Sequence, residues 1–323
     1  MDIYLTEFGS KLKKSGEAFC VINSKGEHFF SINQVECFII EDKISVTSDA
    51  LQLAINNDIP IILSDKLGNV IGKVWQYKFG SNAKIRKKQL EFFDTEIGSE
   101  LGKEWIIKKL KNQIQHLEKL SSRRKITTYA EDIAKMNQLM DKLSTLNGTP
   151  SEIRQSLMGY EGNISKIYFR CISDLLPEKW KFKQREHQGA KTPYNIVLNY
   201  LYGILYSKVE HALIVAGLDP FIGIFHTDNY NKPSLLFDFI EQFRFLALEQ
   251  AVTLFTKGTI QQNFFLEKED KSIVLEATKK RIIVQEFYKT LERSGSLSNK
   301  KNYTHKSLIK LEARNLAVSL MNL

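Results

Sequence analysis

Glu161 stands in Gly159-Tyr160-Glu161-Gly162-Asn163, His226 closes Gly223-Ile224-Phe225-His226, and Asp238 and Glu241 share Leu236-Phe237-Asp238-Phe239-Ile240-Glu241. Two or three carboxylates with one imidazole make a mixed oxygen-and-nitrogen donor set, which suits Mg²⁺ or Mn²⁺ better than a structural zinc. Glu161 lies one helical turn from both Leu157 and Ile164, so it borders the apolar stripe of its helix. A carboxylate so placed needs a cation, a donor or a proton, because burial without one disfavours its charged form. A bound metal is one physical reason to keep it. Taken singly, the residues also have plainer readings: His226 as a hydrogen-bonded core side chain, and Asp238 or Glu241 as a solvated helix face.

The elements that must position these groups are mostly helices. Ile153, Leu157, Tyr160, Ile164, Ile167, Cys171 and Leu175 form the stripe of the helix carrying Glu161, with Ser151 able to cap it after Asn147-Gly148-Thr149-Pro150. Upstream, Leu101, Trp105, Ile106, Leu110, Ile114 and Leu117 recur at three- and four-residue steps, as do Tyr129, Ile133, Met136, Met140 and Leu143. Thr192-Pro193 opens another helix bearing Val197, Leu198, Leu201, Tyr202 and Leu205, with Asn195 and Asn199 together on a second face. Gly217 ends it, and Leu218-Asp219-Pro220 turns the chain toward His226. After a loop from Asn229 to Pro233, one long helix is expected from Ser234, with Asp238 and Glu241 on one face and Arg244 a turn further. Arg293 to Tyr303, rich in Ser, Asn and Lys, is expected to be a flexible loop.

The first eighty residues read differently. Phe19 to Ile22, His28 to Ile32, Cys37 to Ile40 and Ile59 to Leu63 are short β-rich runs, divided by turn formers such as Asn23-Ser24-Lys25-Gly26 and the stretch from Ser64 to Asn69. One helix is expected after Thr47-Ser48-Asp49, burying Leu51, Leu53, Ala54 and Ile55. Past Gly80-Ser81-Asn82, a basic stretch of Lys84, Arg86, Lys87 and Lys88 is expected to join two domains. The fold class is therefore α+β: a β-rich domain over residues 1–85, then a larger all-α catalytic domain over 86–323.

The 323 residues carry 46 Lys+Arg against 37 Asp+Glu, a net charge of +9 that attracts polyanions without defining which are recognised. The clusters Lys108, Lys109, Lys111, Arg123, Arg124, Lys125, Lys279, Lys280 and Arg281 read as mostly solvated surface, some of it available to phosphates. No stretch is long and apolar enough for a membrane span, and Met1-Asp2-Ile3-Tyr4 lacks a signal-peptide layout, so a cytoplasmic protein without membrane association is expected. Cys20, Cys37 and Cys171 are too scattered for a Cys-x-x-Cys metal site, and their odd number argues against a complete disulfide framework, so buried or free thiols are expected.

The order of motifs carries a resemblance. Tyr160-Glu161-Gly162…Tyr168-Phe169, Trp180-Lys181-Phe182…Arg185, Pro193-Tyr194-Asn195, Tyr202-Gly203, Gly217-Leu218-Asp219-Pro220…Gly223…His226 and Pro233-Ser234-Leu235…Asp238…Glu241…Phe243-Arg244 follow one another. Together with the N-terminal β-rich segment, they resemble the family of the first CRISPR-associated (Cas) protein, the endonuclease/integrase subunit of CRISPR spacer acquisition. That resemblance implies a metal-dependent DNA endonuclease/integrase that joins 3′-hydroxyl ends of short DNA segments to a CRISPR array by transesterification. It implies Glu161, His226 and Glu241 as catalytic metal ligands for Mg²⁺ or Mn²⁺, with Asp238, Asn195 and Arg185 in support. It further implies double-stranded DNA as substrate, a homodimer formed through the β-rich domain, and a larger complex with the small second CRISPR-associated protein. Gln184, Thr192, Lys166, Phe245 and Glu249 depart from the family's usual residues and affect details of substrate positioning and loop shape. A generic metal-dependent nuclease or phosphoesterase, and a noncatalytic basic DNA-binding scaffold, are the alternatives.

Overall fold

The computed structural model describes residues 2–41, 43–64, 70–74, 82–124, 128–187, 189–226, 232–269, 271–295 and 303–323. The chain divides into two compact units, Met1–Gly80 and Ser81–Leu323. No helix of the described residues is long and apolar enough to cross a membrane.

The first unit contains β1 (Asp2–Leu5), β2 (Lys11–Ser15), β3 (Ala18–Asn23), β4 (Gly26–Ser31), β5 (Cys37–Ile40), β6 (Ser45–Val46), helix α1 (Ser48–Asn56), β7 (Ile61–Ser64) and β8 (Val70–Val74). They make two four-stranded sheets in the orders β1-β5-β7-β8 and β4-β3-β2-β6. The first is parallel from β1 through β7, with β8 antiparallel at its edge. β3 and β4 form a hairpin closed at Asn23 and Gly26, where φ of +116° falls in a region open mainly to glycine. Leu12, Phe19, Phe38, Ala50, Ala54 and Ile61 share one core, and the Phe19 and Phe38 rings meet edge to face at 4.8 Å. The turn expected from Ser64 to Asn69 lies largely outside the described residues.

The second unit begins with α2 (Asn82–Phe93), α3 (Glu96–Arg124), α4 (Ala130–Ser144), α5 (Pro150–Leu175) and α6 (Pro193–Val215). Next come α7 (Ser234–Phe239), a 3₁₀ turn at Ile240–Phe243, α8 (Arg244–Thr256), β9 (Phe265–Glu267), β10 (Ile273–Leu275) and α9 (Ala277–Leu291), and finally β11 (Ser294–Gly295), β12 (Tyr303–Thr304) and α10 (His305–Asn322). The apolar stripes anticipated on α3 through α6 meet in one core, with Leu110, Leu117, Leu157, Ile164, Leu198 and Leu205 fully buried. Trp105 on α3 contacts Phe239 edge to face at 5.2 Å, which ties the seam of α3 and α5 to the segment bearing Glu241.

Several expectations are corrected. The larger unit is not all-α: β9 pairs antiparallel with β10, and β11 with β12. These are brief ladders that satisfy backbone groups between helices, with Leu275 anchoring the first in the core. The basic residues Lys84, Arg86, Lys87 and Lys88 lie on helix α2. Thr149, not Ser151, is the N-cap of α5: Pro150 takes the first helical position, and the Glu152 carboxylate accepts the Thr149 backbone N–H at 2.7 Å. The long helix from Ser234 is broken by the 3₁₀ turn, in which residues three apart eclipse and Glu241 comes directly over Arg244. Of the loop expected between Arg293 and Tyr303, residues 296–302 lie outside the described residues, and its two ends pair as β11 and β12. Residues 227–231, within the loop expected before Ser234, are likewise outside.

Candidate active site

Helix α5 holds Glu161 near its middle, one turn from the buried Leu157 and Ile164. Its carboxylate is met at a single oxygen, Oε1, by the Ser165 hydroxyl at 2.9 Å and by the Lys109 ammonium from α3. The same ammonium lies 2.7 Å from Glu241 Oε2, on the 3₁₀ turn. The two carboxylates therefore converge on one cation. Glu241 Oε1 accepts a hydrogen bond from Arg244 Nε at 2.6 Å, and the Arg244 guanidinium also donates to the Tyr206 hydroxyl at 2.9 Å. Oε2 is buried, with the Lys109 ammonium as its charged neighbour.

These groups hold one another ionised. Burial works to raise the Glu241 carboxyl, yet Arg244 and Lys109 outweigh it and keep Glu241 well below the usual carboxylate range. Burial likewise works to lower Lys109, but Glu241 and Glu161 hold it above its ordinary value. Arg244 behaves in the same way, with Glu241 overcoming desolvation. A compact group of two positive and two negative charges results.

Asp238 faces elsewhere. Its buried carboxylate accepts backbone N–H groups from Ile224 at 2.7 Å, Phe225 at 3.1 Å and His226 at 3.2 Å, and it meets His226 Nδ1 at 2.6 Å. With Nδ1–H donating to this carboxylate, the Nε2 lone pair is the one left for another partner. Two glycines permit the arrangement. A Cβ on Gly223 would lie 2.4 Å from Ser234 Cβ and 2.9 Å from Asp238 Oδ2, and one on Gly102 of α3 would lie 2.7 Å from the Phe225 ring.

Arg185 and Asn195 form a bracket at the start of α6. Asn195 is fully buried; it donates to the Gln184 carbonyl at 2.9 Å and the Thr192 hydroxyl at 2.8 Å, and its Oδ1 accepts from Arg185 at 3.0 Å. Arg185 lies over the rings of Phe169 and Tyr202, and Arg244 lies over Tyr202 as well, so one aromatic ring serves two guanidinium groups. Burial lowers the Arg185 pKa from its ordinary value.

Glu161, His226 and Glu241 line one cleft of about 1090 Å³, together with Lys109, Arg185 and Arg244. Asn195 and Asp238 do not line it; they contact Arg185 and His226, which do. Among the described residues, no three His, Cys, Asp or Glu side chains are arranged as a ready cage for a metal ion. The donor chemistry nevertheless suits a hard cation: two carboxylates share one cationic position, and an oriented imidazole lines the same cleft.

Two residues escaped the sequence reading. Lys109 is only partly exposed, its side chain 11% accessible, although the run of lysines around it suggested a solvated cluster, and His187 also lines the cleft. A signal for Lys109 did exist: it stands four residues after Trp105 and four before Gln113, along the edge of the apolar stripe.

Fold and site together define a chain with a β-rich first unit and a helical second unit, the latter carrying a carboxylate–imidazole cleft rimmed by cations. The family model for CRISPR associated protein Cas1 matches residues 3–289, and the chain belongs to that family. CRISPR-associated endonuclease Cas1 1 of Archaeoglobus fulgidus is 29% identical over 315 residues, which span 93% of this chain and 91% of the relative. A solved casposase bound to integration product has a TM-score of 0.84 at 25% identity, over 99% of this chain and 90% of that one. A chain of a Cas6-RT-Cas1–Cas2 complex shares the fold, with a TM-score of 0.82 at 23% identity; the present chain spans 35% of its length.

Proposed function

We propose that this chain is a metal-dependent DNA endonuclease/integrase of CRISPR adaptation, joining 3′-hydroxyl ends of short DNA segments to a CRISPR array. The observation that carries this reading is the convergence of Glu161 and Glu241 on one cationic position in a cleft also lined by His226. Family membership supports it, as do an A. fulgidus relative named an endonuclease and a casposase solved with its integration product.

Glu161, Glu241 and His226 would hold Mg²⁺ or Mn²⁺, which when bound supplies charge stabilisation at phosphoryl oxygens and activates the attacking hydroxyl. Asp238 positions His226 by holding Nδ1. Arg185 and Arg244 offer the cleft fixed positive charge, and the stacking on Tyr202 restricts their motion before substrate arrives. In strand transfer the 3′-oxygen forms a new bond to phosphorus while the bond to the leaving 3′-oxygen breaks, and the proton lost by the attacking hydroxyl is balanced by one gained by the leaving group. Water in place of the hydroxyl gives hydrolysis. The proposed assembly is a homodimer that joins a small second CRISPR-associated protein on duplex DNA.

Single Glu161→Ala, His226→Ala and Glu241→Ala variants test the reading. Each should lose divalent-metal-dependent strand transfer by about a thousandfold or more while retaining duplex binding, since phosphate attraction comes from basic residues spread over the chain. Normal strand transfer by any one of them overturns the ligand assignment. The scaffold alternative has one observation in its favour, the closure of both carboxylates by Lys109. It requires that metal titration give no binding at all.

A further inference from the structure

Lys109 sits where the two carboxylates need a cation. Its ammonium contacts Glu161 Oε1 and Glu241 Oε2 at once, and the latter oxygen is buried. With Arg244 on the other oxygen of Glu241, two positive and two negative charges already balance. A divalent cation added to that cluster would meet an ammonium within contact range of the same oxygens, and the repulsion would be poorly screened in a largely buried setting. The long, unbranched lysine stem provides a way out, because it can swing into the cleft that Lys109 already lines.

We propose that Lys109 is a displaceable internal cation: it occupies the position between Glu161 and Glu241 in the metal-free protein and is expelled into the cleft when a divalent metal binds. This rests on the metal-binding reading given above and adds an exchange to it. The lysine helps hold Glu241 ionised and bridges α3 to α5 in the absence of metal. The same contact weakens apparent metal affinity, since each binding event must first break both ion pairs. Glu161 and Glu241 are thereby protected from collapsing on an unsuitable cation, at the cost of looser binding of the working one.

Mn²⁺ titration followed by electron paramagnetic resonance of the free ion, on the full chain without DNA, tests the exchange. Lys109→Met keeps the length of the stem and removes the charge. It should bind Mn²⁺ at least tenfold more tightly than the wild type, and its metal-free melting temperature should be lowered and restored by Mn²⁺. Glu161→Gln should abolish the binding in both backgrounds. Equal or weaker binding by Lys109→Met, with clear binding by the wild type, overturns the place-holder and leaves the metal reading intact. Absence of Mn²⁺ binding in both proteins overturns both.

Should Lys109→Met fail to fold, the wild type supplies a second test. Acetylation by an N-hydroxysuccinimide ester, read at Lys109 by mass spectrometry, should be slow in chelator and several-fold faster at saturating Mn²⁺. The exposed Lys111 should label at the same rate in both conditions. An unchanged Lys109 rate at proven Mn²⁺ saturation shows that the ammonium stays in place and overturns the proposal.

Discussion

The seam between α3 and α5 carries polar pairs in a constant register, and its two ends differ sharply. Lys109 with Glu161, Gln113 with Ser165 and His116 with Tyr168 all join residues 52 apart in the chain. At the first, both partners are charged and the pair borders the cleft. At the last, His116 Nδ1 meets the Tyr168 hydroxyl at 2.7 Å in a closed, mostly apolar setting. Burial, with smaller contributions from Lys119 and Arg123, pushes the His116 pKa down to about 4, and burial also drives the Tyr168 hydroxyl well above its ordinary value. One helix-packing register thus supplies partners along the whole seam. What decides the charge state is the third side: Glu241 and Arg244 stand beside Lys109 and pair with charge, whereas at the His116–Tyr168 end desolvation outweighs every nearby charge. Charge at the cleft end is maintained by other charge, not by water.

The most severe way to break this comparison is to remove the third side. In Glu241→Gln, Lys109 and Arg244 both lose a buried carboxylate, so the expected loss of stability is about 3 to 5 kcal/mol by denaturant melts. Because the Glu241 pKa is depressed on folding, its contribution is present above the unfolded carboxylate value near 4.3 and disappears as pH falls through the folded value. The variant should therefore show a shallower acid limb than the wild type. A loss within experimental error at pH 7 would mean that solvent, not the cluster, satisfies these charges.

At the neutral end the sign runs through the unfolded chain. Above about pH 6.5 His116 is neutral in both states and stability does not depend on it. As pH falls from about 6.5 toward 4, the unfolded chain takes up a proton that folded His116 refuses, so stability drops by about 3 kcal/mol across that window. His116→Gln keeps a polar partner for Tyr168 without the titration and should flatten the profile between pH 6 and 4. An unchanged profile would place the acid sensitivity elsewhere and remove the contrast between the two ends.

Much of this seam was legible. The stripes that bury α3 and α5 were visible at three- and four-residue steps, and Glu161 stood out because a carboxylate bordered one of them. Lys109 did not, since Lys108 and Lys111 beside it suggested solvent, although Lys109, Gln113 and His116 follow the stripe's own spacing. Asp238 was marked as acidic support for the site, but its grip on three backbone N–H groups depends on how residues 224–226 return over α7, and no periodicity encodes such a return. The 3₁₀ turn at Glu241 was hidden for a related reason: Ile240-Glu241-Gln242-Phe243 has no helix breaker, and packing against α3 decides its pitch. In the first unit, Lys11-Leu12-Lys13-Lys14-Ser15 concealed a strand because Leu12 alone is apolar, yet its ladder to β3 and β6 fixes it between them.

The smallest expected effect lies at the middle rung, and it sharpens the comparison most directly. Gln113 is buried, but its contacts with Ser165 are 3.5 Å in both directions, at the long limit for a hydrogen bond, while Ser165 makes its better bond to Glu161 at 2.9 Å. Ser165 therefore belongs energetically to the charged end, and Gln113 is only weakly coupled to it. A double-mutant cycle of Gln113→Leu with Ser165→Ala should give a coupling below about 0.5 kcal/mol, with Ser165→Ala alone costing about 1 kcal/mol through Glu161. The corresponding cycle of Lys109→Met with Glu161→Gln should give a coupling several times larger, because each single change strands a charge that the other would have matched. Equal couplings at the two rungs would mean that the register itself, and not the local charge environment, sets the strength of every pair along the seam.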